Sequence, residues 1–423
     1  VSRAHYKASA MDMLRSEGRI VCALGPADFG GIDRVKERLL RLASSGRETR
    51  LGLRVDPNSR KWSYRPESVC DHVTTSAPIG RADVVEQLEQ LSDSVSIDVP
   101  IRVVLAGEYL LLDLSHGFSD AVLPIELFAF LADPVAVPAL PGWAEARTLR
   151  NPLPRALAGW MARNPGKVVD VLYGKFGQPP AELVTPALAP MEQARVPWGR
   201  SPAVAAATSV AGAPAAIRAW RRDNLPEVSV TSILCAAIAT ALSARGISTS
   251  YSAGFLFDCR RYLRTDGIVL GNFAVGIDFE GIDPTNATAL HESVAHAIDK
   301  GRPLAAGALS TMTYLRTRSA LPAIATTTAP ATADARLTFS DVGRIPQLDG
   351  IAWTADPEAS VFAPLSEPSL PESIVITAMH IRDVFHVTAS FHDNFFDRDA
   401  VQSALNLAMS DPTALLTAQE VSR

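Results

Sequence analysis

The chain has 423 residues and a net charge of -5, with 47% apolar and 20% charged residues. That is the composition of a soluble globular protein too long for one ordinary core, and it fits two domains of about 200 residues. The lack of a basic surplus excludes nucleic acid as a partner, and no apolar run reaches the ~18 residues a membrane span needs, so no transmembrane segment is expected.

The start, Val1-Ser-Arg-Ala-His-Tyr-Lys, has no apolar leader, so a cytoplasmic protein is expected. Arg19 to Leu24 reads as a first strand. An amphipathic helix follows over 30–45, with Ile32, Val35, Leu39, Leu40 and Leu42 near one face. Strands are expected over 49–55 and 61–64, joined by the turn Asp56-Pro-Asn-Ser, and a helix over 81–91. Ile101 to Ala106 and Tyr109 to Leu114 read as a hairpin across Gly107-Glu108. A helix-like apolar pattern begins at Ala121. The stretch 133–198 is rich in proline, with helices expected at 155–161 and 167–173; it reads as crossover and linker. In the second half, strands are expected at 203–210, 251–257 and 337–342, and a hairpin at 373–381 and 384–391. Helices are expected at 214–224, 231–245 with Thr231 as cap, 286–300 and 397–409. Strand and helix alternate but hairpins are present, so the fold class is α/β with mixed sheets.

Cys22, Cys70, Cys235 and Cys259 lie far apart with no CxxC pair, so neither zinc nor redox chemistry is expected. His291 and His296 fall at i, i+5, off one helical face. His386 and His392 lie roughly 20 Å apart along a strand, too far to share an ion. No metal site is expected. No nucleotide-binding glycine motif occurs, and no Gly-x-Ser-x-Gly elbow.

The informative stretch is Ser115-His-Gly-Phe-Ser-Asp120, between the buried strand and the helix after Ala121. A histidine just past a strand end is held by a rigid element and still faces a cleft, the placement a general base needs. The segment resembles the His-His-x-x-x-Asp-Gly signature of the chloramphenicol acetyltransferase-like superfamily. That superfamily includes condensation domains, plant acyltransferases and, closest in character, wax ester synthases and mycobacterial polyketide-associated acyltransferases. His116 matches its active-site histidine and Asp120 its aspartate. Ser115 stands where many relatives have the first histidine, and Ala121 replaces the final glycine. Asp258-Cys-Arg260-Arg261 resembles the Asp-x-Arg segment that follows a matching strand, which makes Arg260 the candidate partner of Asp120 and Arg261 the fallback. Gly271-Asn272-Phe273 resembles a segment that reaches the active-site tunnel, where Asn272 binds substrate or positions the loop. Phe339-Ser340-Asp341-Val342-Gly343 resembles a Ser-Asn-x-Gly segment near the cleft.

The resemblance covers about 110 to 345. It implies two chloramphenicol-acetyltransferase-like lobes, each a mixed sheet flanked by helices, with the active site in a tunnel at their interface. The N-terminal lobe is then 1–190, with 134–198 as crossover, and the C-terminal lobe 191–423. The implied activity is acyl transfer from a thioester, acyl-CoA or an acyl carrier protein, to a hydroxyl or amine of a lipid or secondary-metabolite acceptor. His116 is the general base, and backbone N–H groups near Ala121, with Ser340, meet the oxyanion. No bound cofactor is implied. Two alternatives stay open: an amide-forming domain acting on carrier-bound substrates, and a non-catalytic recruitment module.

Overall fold

The computed structural model describes residues 5–94, 99–145, 148–149, 151–167, 194–264, 268–318 and 326–420. Most of the helix expected at 167–173 and the boundary expected near 190 lie outside the described residues.

Two large mixed sheets organise the chain. The first has five strands in the order Val361–Leu365, Arg19–Gly25, Tyr109–Ser115, Ile101–Ala106 and Val73–Thr75. Tyr109–Ser115 is central, and every residue of it is buried. Leu110, Leu112 and Leu114 enter one core; Tyr109 and Leu111 enter a second with Val21, Val84 and Leu88. Burial on both faces is why this strand reads as a continuous apolar run instead of an alternation. Its one charge, Asp113, is fully buried and is matched by Arg19 at 2.7 Å and Arg102 at 2.6 Å.

The second sheet has six strands in the order Ala274–Glu280, Thr249–Asp258, Ala335–Arg344, Ser373–Ile381, Val384–His392 and Pro202–Thr208. The three strands Thr249–Asp258, Ala335–Arg344 and Ser373–Ile381 run parallel, and the outer pairings are antiparallel. One face carries Phe255, Phe339, Ile376 and Ala389 in register. Phe339 and Ile376 there line a small cavity with Leu234 and Ile238 of the helix Val230–Ala244. The other face carries small polar residues, Ser340, Thr377 and Thr388 among them.

Among the described residues, two of the ties between the sheets involve Val361–Leu365 and Glu89. Val361–Leu365 leaves the second half of the chain to pair antiparallel with Arg19–Gly25. Glu89, on the helix Val84–Asp93, accepts from the Val204 N–H at 2.8 Å and pairs with Arg398 at 2.7 Å. Its carboxylate thereby occupies a free backbone donor on an edge strand.

Several expected elements are corrected. The strand over 49–55 shrinks to Leu53–Arg54, because Arg50 (φ 68°) and Gly52 (φ 73°) turn the chain the wrong way for extension. Ser229, not Thr231, caps the helix Val230–Ala244, accepting from the Ser232 N–H at 3.1 Å. The helices Ala10–Leu14 and Arg302–Thr317 and the strands Ala274–Glu280 and Val361–Leu365 were not legible from periodicity. No helix among the described residues is long and apolar enough to cross a membrane.

Candidate active site

His116 follows the last residue of the central strand. Its backbone N–H donates to the Gly18 carbonyl at 2.8 Å, extending the pairing of the two central strands by one bond. The turn that follows is closed by Ser115. Its hydroxyl accepts from the Gly117 N–H at 3.2 Å, and its carbonyl accepts from the Phe118 N–H at 2.9 Å. Ser115 therefore holds the turn's backbone. Gly117 is needed for close approach: a Cβ there would lie 3.1 Å from Ser16 Cα and 3.3 Å from the Trp62 ring. Phe118 is wholly buried against that same ring.

The imidazole itself is half-buried. His116 Nδ1 lies 2.9 Å from the Ser119 carbonyl oxygen. A carbonyl only accepts, so Nδ1 carries the proton and Nε2 keeps its lone pair. Burial pushes the His116 pKa below the usual imidazole value, and the nearby positive charge of Arg15 adds to this; Asp120 and the Ser119 carbonyl act weakly the other way. The ring is thus a neutral base at physiological pH, in a fixed tautomer.

Asp120 does not touch the imidazole. Arg260 grips it with both terminal nitrogens, at 2.9 and 3.0 Å. The carboxylate also accepts from the Phe273 N–H at 3.0 Å and the Val122 N–H at 3.3 Å. Arg260 spends its remaining donors on the carbonyls of Val269 and Gly271 and on Asp258. Arg261 is exposed and takes no part in this pair. Asn272 donates its side-chain N–H to the His116 carbonyl at 2.7 Å, so its amide positions the loop.

A second support, absent from the sequence reading, lies below the loop. Asp12 is fully buried and pairs with Arg50 at 3.0 Å. Asp12 also accepts from the Asn272 N–H at 3.1 Å, and Arg50 donates to the Phe118 carbonyl at 2.5 Å. The capping box Ser9-Ala-Met-Asp12 was the available signal, since Asp12 is the reciprocal acid of that cap. Nothing local marked Arg50 as its partner.

Ala121 and Ser340 stand apart from this network. Ala121 is exposed at the start of the helix Val122–Leu131. The first amides of that helix are already engaged, Val122 by Asp120 and Leu123 by the Ser119 hydroxyl at 3.3 Å. Ser340 lies on the six-stranded sheet, in register with Thr377 of the neighbouring strand. Among the described residues no hydrogen bond links Ser340 to the His116 loop.

No family model matches the chain, and no curated protein matches it either. Solved structures do match over nearly the whole length. The condensation domain of the monacolin K polyketide synthase superposes with a TM-score of 0.58 at 14% identity, covering 99% of this chain and 98% of that one. The trichothecene 15-O-acetyltransferase of Fusarium sporotrichioides gives 0.56 at 13% identity, covering 98% and 94%. The first condensation domain of the calcium-dependent antibiotic synthetase, solved with a substrate analogue, gives 0.56 at 16% identity, covering 98% of each chain.

Proposed function

On the premise that this chain has the fold shared by condensation domains and that acetyltransferase, we propose that it is an acyltransferase with His116 as general base. The observation that carries the reading is the Nδ1 contact to the Ser119 carbonyl, which leaves Nε2 unprotonated in a half-open site.

The chemistry then follows. A hydroxyl or amine presents its proton to Nε2 while its oxygen or nitrogen attacks the carbonyl carbon of a thioester. The C–S bond of the tetrahedral intermediate breaks, and the proton passes from Nε2 to the leaving thiolate. The donor is an acyl-CoA or a carrier-protein thioester, and the acceptor a lipid or a secondary metabolite. Asp120 and Arg260 serve by shape: their ion pair, with Asn272, fixes the loop on which the imidazole rides. The helix start near Ala121 offers little to the oxyanion, because its first amides are already taken.

The test is a mass-spectrometric screen of acyl-CoA and carrier-bound donors against paired alcohols and amines, with wild type and His116→Ala. Transfer by the wild type, lowered by 10²–10⁴-fold in a folded His116→Ala protein, supports the assignment. An amide product, formed from amine acceptors with carrier-bound donors alone, supports the amide-forming alternative. No transfer with any donor favours the recruitment module.

A further inference from the structure

The strand Pro202–Thr208 is an outer edge of the six-stranded sheet, and side chains take up its outward backbone groups in turn. The Val204 N–H has Glu89, which Arg398 holds. Ala206 has both groups engaged by one side chain. Its N–H donates to Gln402 Oε1 at 3.2 Å, and its carbonyl accepts from Gln402 Nε2 at 2.9 Å. The Gln402 amide thus does the work of a neighbouring strand. Arg398, Gln402 and Asn406 follow at i, i+4 and i+8 on the helix Arg398–Ser410. Each step advances about 6 Å, close to the ~6.6 Å of two strand residues, so the next rung falls at Thr208.

Thr208 receives no such side chain. The Ser209 N–H points inward, to the Phe385 carbonyl at 2.9 Å, so by alternation Thr208 presents its N–H and C=O outward, as Val204 and Ala206 do. Neither group has a partner among the described residues. Asn406 Oδ1 accepts from Gln402 Nε2 at 3.0 Å instead. A cavity of about 460 Å³ lies here, bordered by Thr208, Gln402 and Asn406 and walled by Val84, Val85 and Val361. His386, 1% exposed, also lines it, and its Nε2 has no partner. The Thr208 hydroxyl gives its one proton to the Ser360 carbonyl at 3.3 Å, so toward His386 Nδ1, 3.4 Å away, it accepts. Nδ1 then carries the ring proton and Nε2 is an acceptor.

The site is short along the strand. Gln402 closes one end. At the other, the Glu358 carboxylate accepts from the Ala211 N–H at 2.6 Å and the Glu358 carbonyl from Arg81 at 2.7 Å. That leaves room for one rung and not for an added strand, and the volume suits a small molecule. It is not the reaction centre. Val361 pairs with Gly25 and Ser115 with Arg19, six residues apart on one strand, or about 20 Å.

We propose that this cavity binds a small neutral molecule through a cis-amide edge, that of a primary carboxamide or a lactam. The amide oxygen accepts from the Thr208 N–H and the amide N–H donates to the Thr208 carbonyl, as Gln402 does for Ala206. The apolar remainder lies on the valines. A carboxylate has no donor and meets two acceptors, the Thr208 carbonyl and His386 Nε2; an amine has no acceptor for the Thr208 N–H. The site stands whether or not His116 transfers acyl groups.

The probes are hexanamide, caprolactam, hexanoate and hexylamine, each titrated to tens of millimolar into the full chain carrying ¹⁵N-threonine. Thr208→Ser assigns the Thr208 amide by removing its NMR signal. Hexanamide or caprolactam should move that signal downfield to saturation, with a Kd at least tenfold below those of hexanoate and hexylamine. Ala82→Trp, at the exposed rim of the cavity, should weaken that binding at least tenfold while the remaining threonine signals keep their places. No movement of the Thr208 signal with either amide overturns the proposal. An equal response to all four probes overturns it too, leaving an apolar hollow without selectivity. Selective binding that survives in a folded Ala82→Trp protein would put the amide elsewhere and also overturn it.

Discussion

Arg260 meets Asp120 with both terminal nitrogens, at 2.9 and 3.0 Å, across 140 residues of chain. The pair joins the turn behind His116 to the strand end of the six-stranded sheet. It therefore couples the geometry of His116 to the packing of one sheet against the other.

Asp120→Ala removes the acceptor from Arg260 and from the Phe273 N–H together. Breaking one side of a largely buried pair leaves the other charge uncompensated, at a cost of about 3 kcal/mol. A melting temperature lower by several degrees is expected, with soluble yield falling in parallel. An unchanged melting temperature would contradict the structural role.

Gly271→Ala should damage the loop's lower support. A Cβ there would come within 2.8 Å of Asp12 Oδ1, against the buried Asp12–Arg50 pair. Overpacking of this kind costs about 1–3 kcal/mol. Gly276→Ala is the contrast, since its Cβ would meet only the end of the Leu256 side chain, at 3.4 Å. Chemical denaturation of the two variants should separate them clearly; equal midpoints would mean the first site can relax.

The pH profile follows from the lowered pKa of His116. A base must be neutral to act, so kcat/KM should stay flat through neutral pH and fall only below the ordinary imidazole value of about 6.5. In Arg15→Gln the acid limb should move to higher pH, because one source of the depression is gone. A limb at or above pH 7 in the wild type would argue against a desolvated base.

His386 gives a separate acid response. It is 1% exposed, and burial pushes its pKa down to about 3. The unfolded chain binds this proton near pH 6.5 and the folded chain does not. Between about pH 6.5 and 3, stability should therefore fall as pH falls, by about 1.4 kcal/mol per unit from this group alone. His386→Phe should flatten that part of the stability curve in equilibrium unfolding; an unchanged slope would place the acid sensitivity elsewhere.

The local features of the site were legible in the amino-acid order. A buried apolar run, a polar turn with His116, and a helix beginning after Asp120 all depend on residues within hydrogen-bonding reach along the chain. The same holds for the hairpins and for the helix ended by Gly246. The strand Val361–Leu365 was missed, because its pattern is short and its partner, Arg19–Gly25, lies far away in sequence. The expectation of a strand over 49–55 failed where two positive φ angles override apolar content.

By itself the sequence determined which residues could do proton chemistry and which elements carry them, since both depend on side-chain type and short-range periodicity. Only the tertiary structure decided the rest. It joined Asp12 to Arg50 beneath the loop, set Asn272 on the His116 carbonyl instead of toward a substrate, and left Ser340 without a hydrogen bond to that loop. These are choices of partner between segments distant in the chain, made by burial and charge matching once the two sheets pack, and no local pattern encodes them.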